Sequence, residues 1–133
     1  MHPRKLIIVS TVVAGLALGG CVSWQVPPET ASYGQMPVAY EASVRAAMEN
    51  YLKDPASATY RFGKPVRAYS NYGWAEAHGA QVEWTGYLVR VEVNAKNSFG
   101  GYVGYQPYMV LFKDNAVFRV LPGSAHPLVH VVQ

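Results

Sequence analysis

Apolar residues recur at a helical spacing in one stretch of the chain. Across residues 39–53, Tyr40, Val44, Ala47, Met48, Tyr51 and Leu52 fall at i, i+4, i+7, i+8, i+11 and i+12. Glu41, Arg45, Glu49, Asn50 and Lys53 take the opposite side. The spacing predicts an amphipathic helix with its stripe toward the core and Glu41–Arg45 as an i,i+4 pair. Pro55 predicts its end, because the residue before a proline is pushed out of helical geometry.

Beyond Pro55 the period changes to two. Thr59 to Phe62, extending toward Tyr69, reads as a first strand interrupted by Gly63 and Pro65. Proline cannot donate to a ladder, so this strand is expected at an edge or bulged. Residues 71–79 read as a loop. The longest strand covers 81–94: Tyr87, Val89, Val91 and Val93 alternate with Arg90, Glu92 and Asn94, which predicts one buried face and one wet face. Tyr108–Lys113 and Ala116–Leu121 read as a third and a fourth strand. Asp114 and Asn115 between them tolerate the positive φ of a tight hairpin. Leu128–Val132 is a candidate for a short terminal strand. This order predicts an α+β domain over residues 39–133, with one N-terminal helix packed on a four-stranded antiparallel meander.

The first twenty residues follow a different pattern. Arg4 and Lys5 precede an uncharged, mainly apolar run from Leu6 to Leu18. That run is short for a membrane-crossing helix, which needs about 20 apolar residues, and suits the core of a secretory signal peptide. The tetrad Leu18-Gly19-Gly20-Cys21 resembles the lipobox of bacterial lipoproteins. The resemblance implies that the Cys21 thiol receives a diacylglycerol, that residues 1–20 are removed, and that the new amine is acylated, as with palmitate. Each buried methylene contributes about 0.8 kcal/mol, so two or three chains make a firm anchor. The competing reading is a free or buried cysteine in an ordinary transmembrane anchor. Val22 stands where lipoproteins kept at the inner membrane commonly carry Asp, which implies the periplasmic face of the outer membrane. Residues 21–38 then read as the lipidated cysteine and a tether. Pro27-Pro28 favours extended geometry, and Gly34 and Pro37 break regular structure. Trp24 and Tyr33 are expected either at the membrane interface or on the domain.

Charge removes one class of partner. The 133-residue chain carries 11 basic and 8 acidic residues, and loss of residues 1–20 takes Arg4 and Lys5 with it. The mature charge is about +1 and no basic stripe stands out, so no nucleic-acid partner is expected. Cys21 is the single cysteine, which excludes an intrachain disulfide.

Chemistry-bearing residues are sparse. His126 and His130 are separated by Pro127, and no carboxylate or thiolate cluster accompanies them or His78, so no metal is expected. Ser98, His78 and Asp54 lack the sequence surroundings of a nucleophile elbow. Glu83 and Glu92 occupy odd and even positions of one strand and cannot flank a glycosidic bond. No catalytic residue and no cofactor are expected. Arg61, Lys64 and Arg67, interleaved with Tyr60, Phe62 and Tyr69, read as a solvated basic edge or a contact for an acidic partner. The most unusual stretch runs from Asn94 to Tyr105. Gly100, Gly101 and Gly104 permit backbone shapes that other residues resist, and Phe99, Tyr102 and Tyr105 lie among them. With Asn97, these residues form a candidate partner-binding loop. The alternative is a wide glycine-bulged hairpin whose aromatics fold back over the sheet edge.

Two phrases together, Leu52-Lys53-Asp54-Pro55-Ala56-Ser57-Ala58-Thr59-Tyr60-Arg61-Phe62 and Val91-Glu92-Val93-Asn94-Ala95-Lys96-Asn97-Ser98-Phe99-Gly100-Gly101-Tyr102-Val103-Gly104, resemble those of a group of small bacterial secreted proteins and lipoproteins of uncharacterised activity. The resemblance implies a shared folding unit over most of residues 40–121. Members of that group often carry a cysteine near the long central strand. Arg90 follows Val89 here, so no thiol role carries over. The expected function is a non-enzymatic binding or scaffolding module of the envelope, anchored in the membrane, with an envelope protein or cell-wall polymer as partner. An inhibitor of a cell-wall lytic enzyme is the alternative, and a small hydrolase a more distant one.

Overall fold

A computed structural model describes residues 23–73 and 80–133. The signal segment, Cys21 and His78 lie outside the described residues.

Helix α1 spans Tyr40–Met48 and buries Val44 and Met48. It is shorter than the apolar stripe. The chain leaves the helix after Met48, whose carbonyl accepts from both the Tyr51 and the Leu52 amides, at 2.9 and 3.1 Å. Leu52 still packs on the core, whereas Tyr51 is exposed. Pro55 is therefore the second residue of a strand rather than the helix stop. Arg45 does not pair with Glu41. Its guanidinium lies over the Tyr60 and Phe62 rings, at 4.6 and 5.1 Å from their centroids.

Six antiparallel strands form one sheet: β1 (Asp54–Phe62), β2 (Val66–Asn71), β3 (Val82–Lys96), β4 (Gln106–Lys113), β5 (Ala116–Pro122) and β6 (Val129–Val131). The expectation of an α+β helix-on-meander with four strands is thus corrected to a mostly β fold with six strands and one short helix among the described residues. The cause is the length of β3. Its first half pairs with β2 (Val66↔Leu88 to Asn71↔Val82) and its second half with β1 (Asp54↔Lys96 to Phe62↔Val91), both along the same side. β4 pairs along the other side, from Tyr87↔Phe112 to Val93↔Gln106. Gly63-Lys64-Pro65 thus divides one expected strand into two, and among the described residues no strand pairs with the outer side of β1. The Asp114 and Asn115 turn between β4 and β5 adopts positive φ, 47° and 69°, as its residues predict. β6 joins β2 as the sixth strand.

Alternation along β3 does not give one dry and one wet face. Val89, Val91 and Val93 belong to a core with Val44, Met48, Val110, Phe112 and Val120 beneath the helix. Trp84 and Leu88 belong to a second core with Ala68, Met109 and Leu111. The buried parity therefore switches between Leu88 and Val89, and only the second half of the strand exposes Arg90 and Glu92. Gly86 sits just before the switch. A Cβ there would run into the Phe112 carbonyl oxygen and the Trp84 ring. The missing side chain lets β4 end against β3 and lets the indole close over the gap, as aromatics do over strand glycines.

Two irregular segments cover the sheet. The first runs from Gln25 to Val38 without regular secondary structure. The Gln25 amide donates to the Ala80 carbonyl at 3.1 Å, and the buried Asn71 amide group donates to the Gln25 carbonyl at 2.8 Å. Farther on, Thr85 and Lys113 both donate to the Ser32 carbonyl, at 2.8 and 3.3 Å, and the Val38 amide donates to Asn115 Oδ1 at 3.1 Å. The second segment, residues 123–128, crosses from β5 to β6. It meets β4 through Gly123 N–H on Pro107 O, β3 through Arg90 Nε on Ser124 O, and β2 through Asn71 N–H on Leu128 O.

Candidate functional site

Loop 97–105 follows β3 and is built by two asparagines. Asn97 accepts at Oδ1 from the Phe99 and Gly101 amides, at 3.0 and 3.1 Å. Its backbone closes the same turn through Gly100 N–H on Asn97 O and Asn97 N–H on Gly101 O. Gly100 stands at φ +79°, a conformation costly for any residue with a Cβ. Asn94 Oδ1 accepts from Gly104 N–H at 3.1 Å and fixes the return of the loop.

The aromatics expected to act together divide into two roles. Tyr102 and Tyr105 fold back onto β1. The Tyr102 hydroxyl donates to Ser57 O at 3.0 Å, and Tyr105 lies beneath the Arg61 guanidinium at 3.7 Å and beside Thr59 Oγ1. Phe99 does the opposite and is 96% exposed at the tip. Tyr102 and Tyr105 thus fold back over the sheet edge, and Phe99 does not. Gly101 differs from Gly100: its φ is not positive, and the nearest atom to an added Cβ would be Asn97 Oδ1 at 3.9 Å.

Spacing along the sequence does not disclose two members of the patch. Tyr51, thrown outward where the helix ends, and Val103 are both exposed and line a groove of about 180 Å³ at the loop base with Leu52, Lys53 and Lys96. The Asn-x-x-Gly spacing from Asn97 to Gly100 is the available sequence signal for the turn, since asparagine side chains bond the backbone two residues on.

The remaining candidates separate. Arg61 and Arg67 sit on different strands over different rings, Tyr105 and Tyr33, and do not form one basic patch. Glu83 pairs with Arg119 at 3.0 Å. His126 Nδ1 accepts from Leu128 N–H at 3.2 Å, and the His130 ring packs against Tyr69 with centroids 4.9 Å apart. Between α1 and β1, burial pushes the Tyr60 hydroxyl above its ordinary value, with Arg45 opposing and Glu49 reinforcing the shift. On the far side of β3, a groove of about 350 Å³ is lined by Arg61, Phe62, Arg90, Glu92, Pro107 and Tyr108. No family model, curated protein or solved structure matches this chain.

Proposed function

We propose that the protein is a lipid-anchored, non-enzymatic binding module of the bacterial envelope. In this reading Cys21 holds it to the outer membrane on the periplasmic side, and loop 97–105 contacts an envelope protein or cell-wall polymer. The observation that carries the reading is Phe99, an apolar ring left in water on a backbone held by Asn97 and Asn94. Burying such a ring against a partner is worth about 1.5–3 kcal/mol, and a loop already ordered loses little entropy on binding. A protruding aromatic tip also suits insertion into a cleft, which favours inhibition of a lytic enzyme as the second reading.

The test combines a photo-crosslinker at position 102 with Phe99→Ala in cells. A protein adduct that disappears in Phe99→Ala supports a scaffold. A lytic enzyme in that adduct, with activity restored by the same substitution, supports the inhibitor. An adduct pattern indifferent to Phe99 overturns both. Separately, Cys21→Ala is expected to abolish palmitate labelling and release the protein from the membrane pellet. Unchanged labelling removes the anchor.

A further inference from the structure

The sequence places few residues between Cys21 and the folded sheet. Gln25 is the first residue bonded to it on both sides, through Ala80 O and Asn71 Nδ2. Four residue steps at no more than about 3.6 Å each span roughly 14 Å. Asn71 pairs with Val82 at the start of β3, so this attachment lies at one end of the sheet. Trp24 at 45% and Val26 at 69% are exposed beside that attachment, and Val131 at 39% lies on the edge strand β6, opposite Ala68 and, across β2, level with Gly86 of β3. Val26 and Val131 border one groove of about 370 Å³, together with Pro27, Glu29, Tyr33, Arg67 and Tyr69. Tryptophan and tyrosine are the side chains that favour a membrane–water interface, and Arg67 supplies a charge for lipid phosphates in a groove that Glu29 also lines.

We infer that this corner of the sheet, from Trp24 and Val26 near the start of β3 across to Val131 on the β6 edge, is a face that rests on the bilayer. The occupant follows from the length of chain before Ser23: a lipidated Cys21 keeps Trp24 within about 11 Å of the anchor, too close for the domain to stand clear of the headgroups. The inference rests on the lipid-anchor reading and adds to it an orientation. β3 then leads away from the anchored corner, and its fifteen residues place loop 97–105 roughly 45 Å along the strand from the attachment. Phe99 accordingly meets partners in the periplasmic space rather than lipid of the anchoring membrane.

The full chain, expressed with its leader and reconstituted into phosphatidylethanolamine–phosphatidylglycerol vesicles, tests this. Val26→Cys, Val131→Cys and Val103→Cys each take one environment-sensitive fluorophore, while the lipidated Cys21 takes none. Vesicles with spin-labelled headgroups are expected to remove most of the emission at positions 26 and 131 and none at 103. Protein that floats with the vesicles yet shows equal quenching at all three positions, or none at 26 and 131, overturns the orientation and leaves the anchor standing. Protein that does not float, or whose Cys21 accepts the label, overturns the anchor and the orientation together.

Discussion

The two ends of the sheet spend their exposed apolar residues differently. At the start of β3, Gln25 is tied down by the buried Asn71, with Trp24 and Val26 exposed on either side of it in the chain and Val131 exposed on the neighbouring β6 edge. At the finish of β3, Tyr51, Tyr102 and Val103 surround a raised turn that carries Phe99 into solvent. The first end is bonded inward, by the amide nitrogen of Asn71 on Gln25 and the amide oxygen of Asn115 on Val38. The second is propped outward, by the amide oxygens of Asn97 and Asn94 on the loop's own backbone. The same residue type thus anchors one segment to the sheet and displays another, and the difference lies in whether the asparagine bonds a distant segment or the turn that it belongs to.

The largest effect is expected where the two halves of the molecule meet. Gly86→Val forces a branched side chain into the Phe112 carbonyl and the Trp84 ring, and is expected to cost about 3 kcal/mol or more in chemical denaturation. A variant of unchanged midpoint would mean that the halves are not joined as tightly as the close approach indicates. Next comes the pinned end. Asn71→Ala removes the donor to Gln25, Ala80 and Gln81 and is expected to cost about 1–3 kcal/mol, with limited proteolysis shifting to the segment before Ser32. Protease resistance there equal to that of the parent would argue that other contacts hold the strap.

The displayed end gives smaller effects. Gly100→Val is expected to lose about 1–2 kcal/mol because of its positive φ, whereas Gly101→Val should stay within about 0.5 kcal/mol. Equal losses at the two positions would contradict the turn described for Asn97. The smallest effect is at Tyr60. A tyrosine raised above its usual value favours the protonated form in the folded state, so its contribution is complete below pH 10.0 and declines as pH rises past the folded value. A Tyr60→Phe variant should therefore lose less stability between neutral and strongly alkaline pH than the parent.

Strand positions and one hairpin are legible in sequence, because alternation and turn chemistry are local. Asp114-Asn115 forms the hairpin its residues favour, and Pro65 falls in the break between β1 and β2. The tertiary consequences of length are not legible. Nothing local says that β3 serves two successive neighbours on one side, that Val129–Val131 joins β2, or that the buried parity changes at Leu88 and Val89. The uniform apolar stripe of residues 40–52 likewise hides a helix that stops at Met48, since Tyr51 and Leu52 satisfy the same spacing from a turn. At the loop, the glycines and aromatics mark the region, but their division into one displayed ring and two folded-back rings depends on Ser57, Thr59 and Arg61 across the sheet. Those partners are forty or more residues away.

The change of buried parity along β3 bears on how the molecule unfolds. Leu88 and Val89 are joined by one peptide bond and belong to opposite cores. Met109 and Val110 repeat the arrangement on β4. Neither core can loosen without disturbing the backbone that orders the other. The amides of Leu88–Val91 and Met109–Leu111 should therefore exchange with solvent in a single global opening, with no half-melted state between folded and unfolded chains.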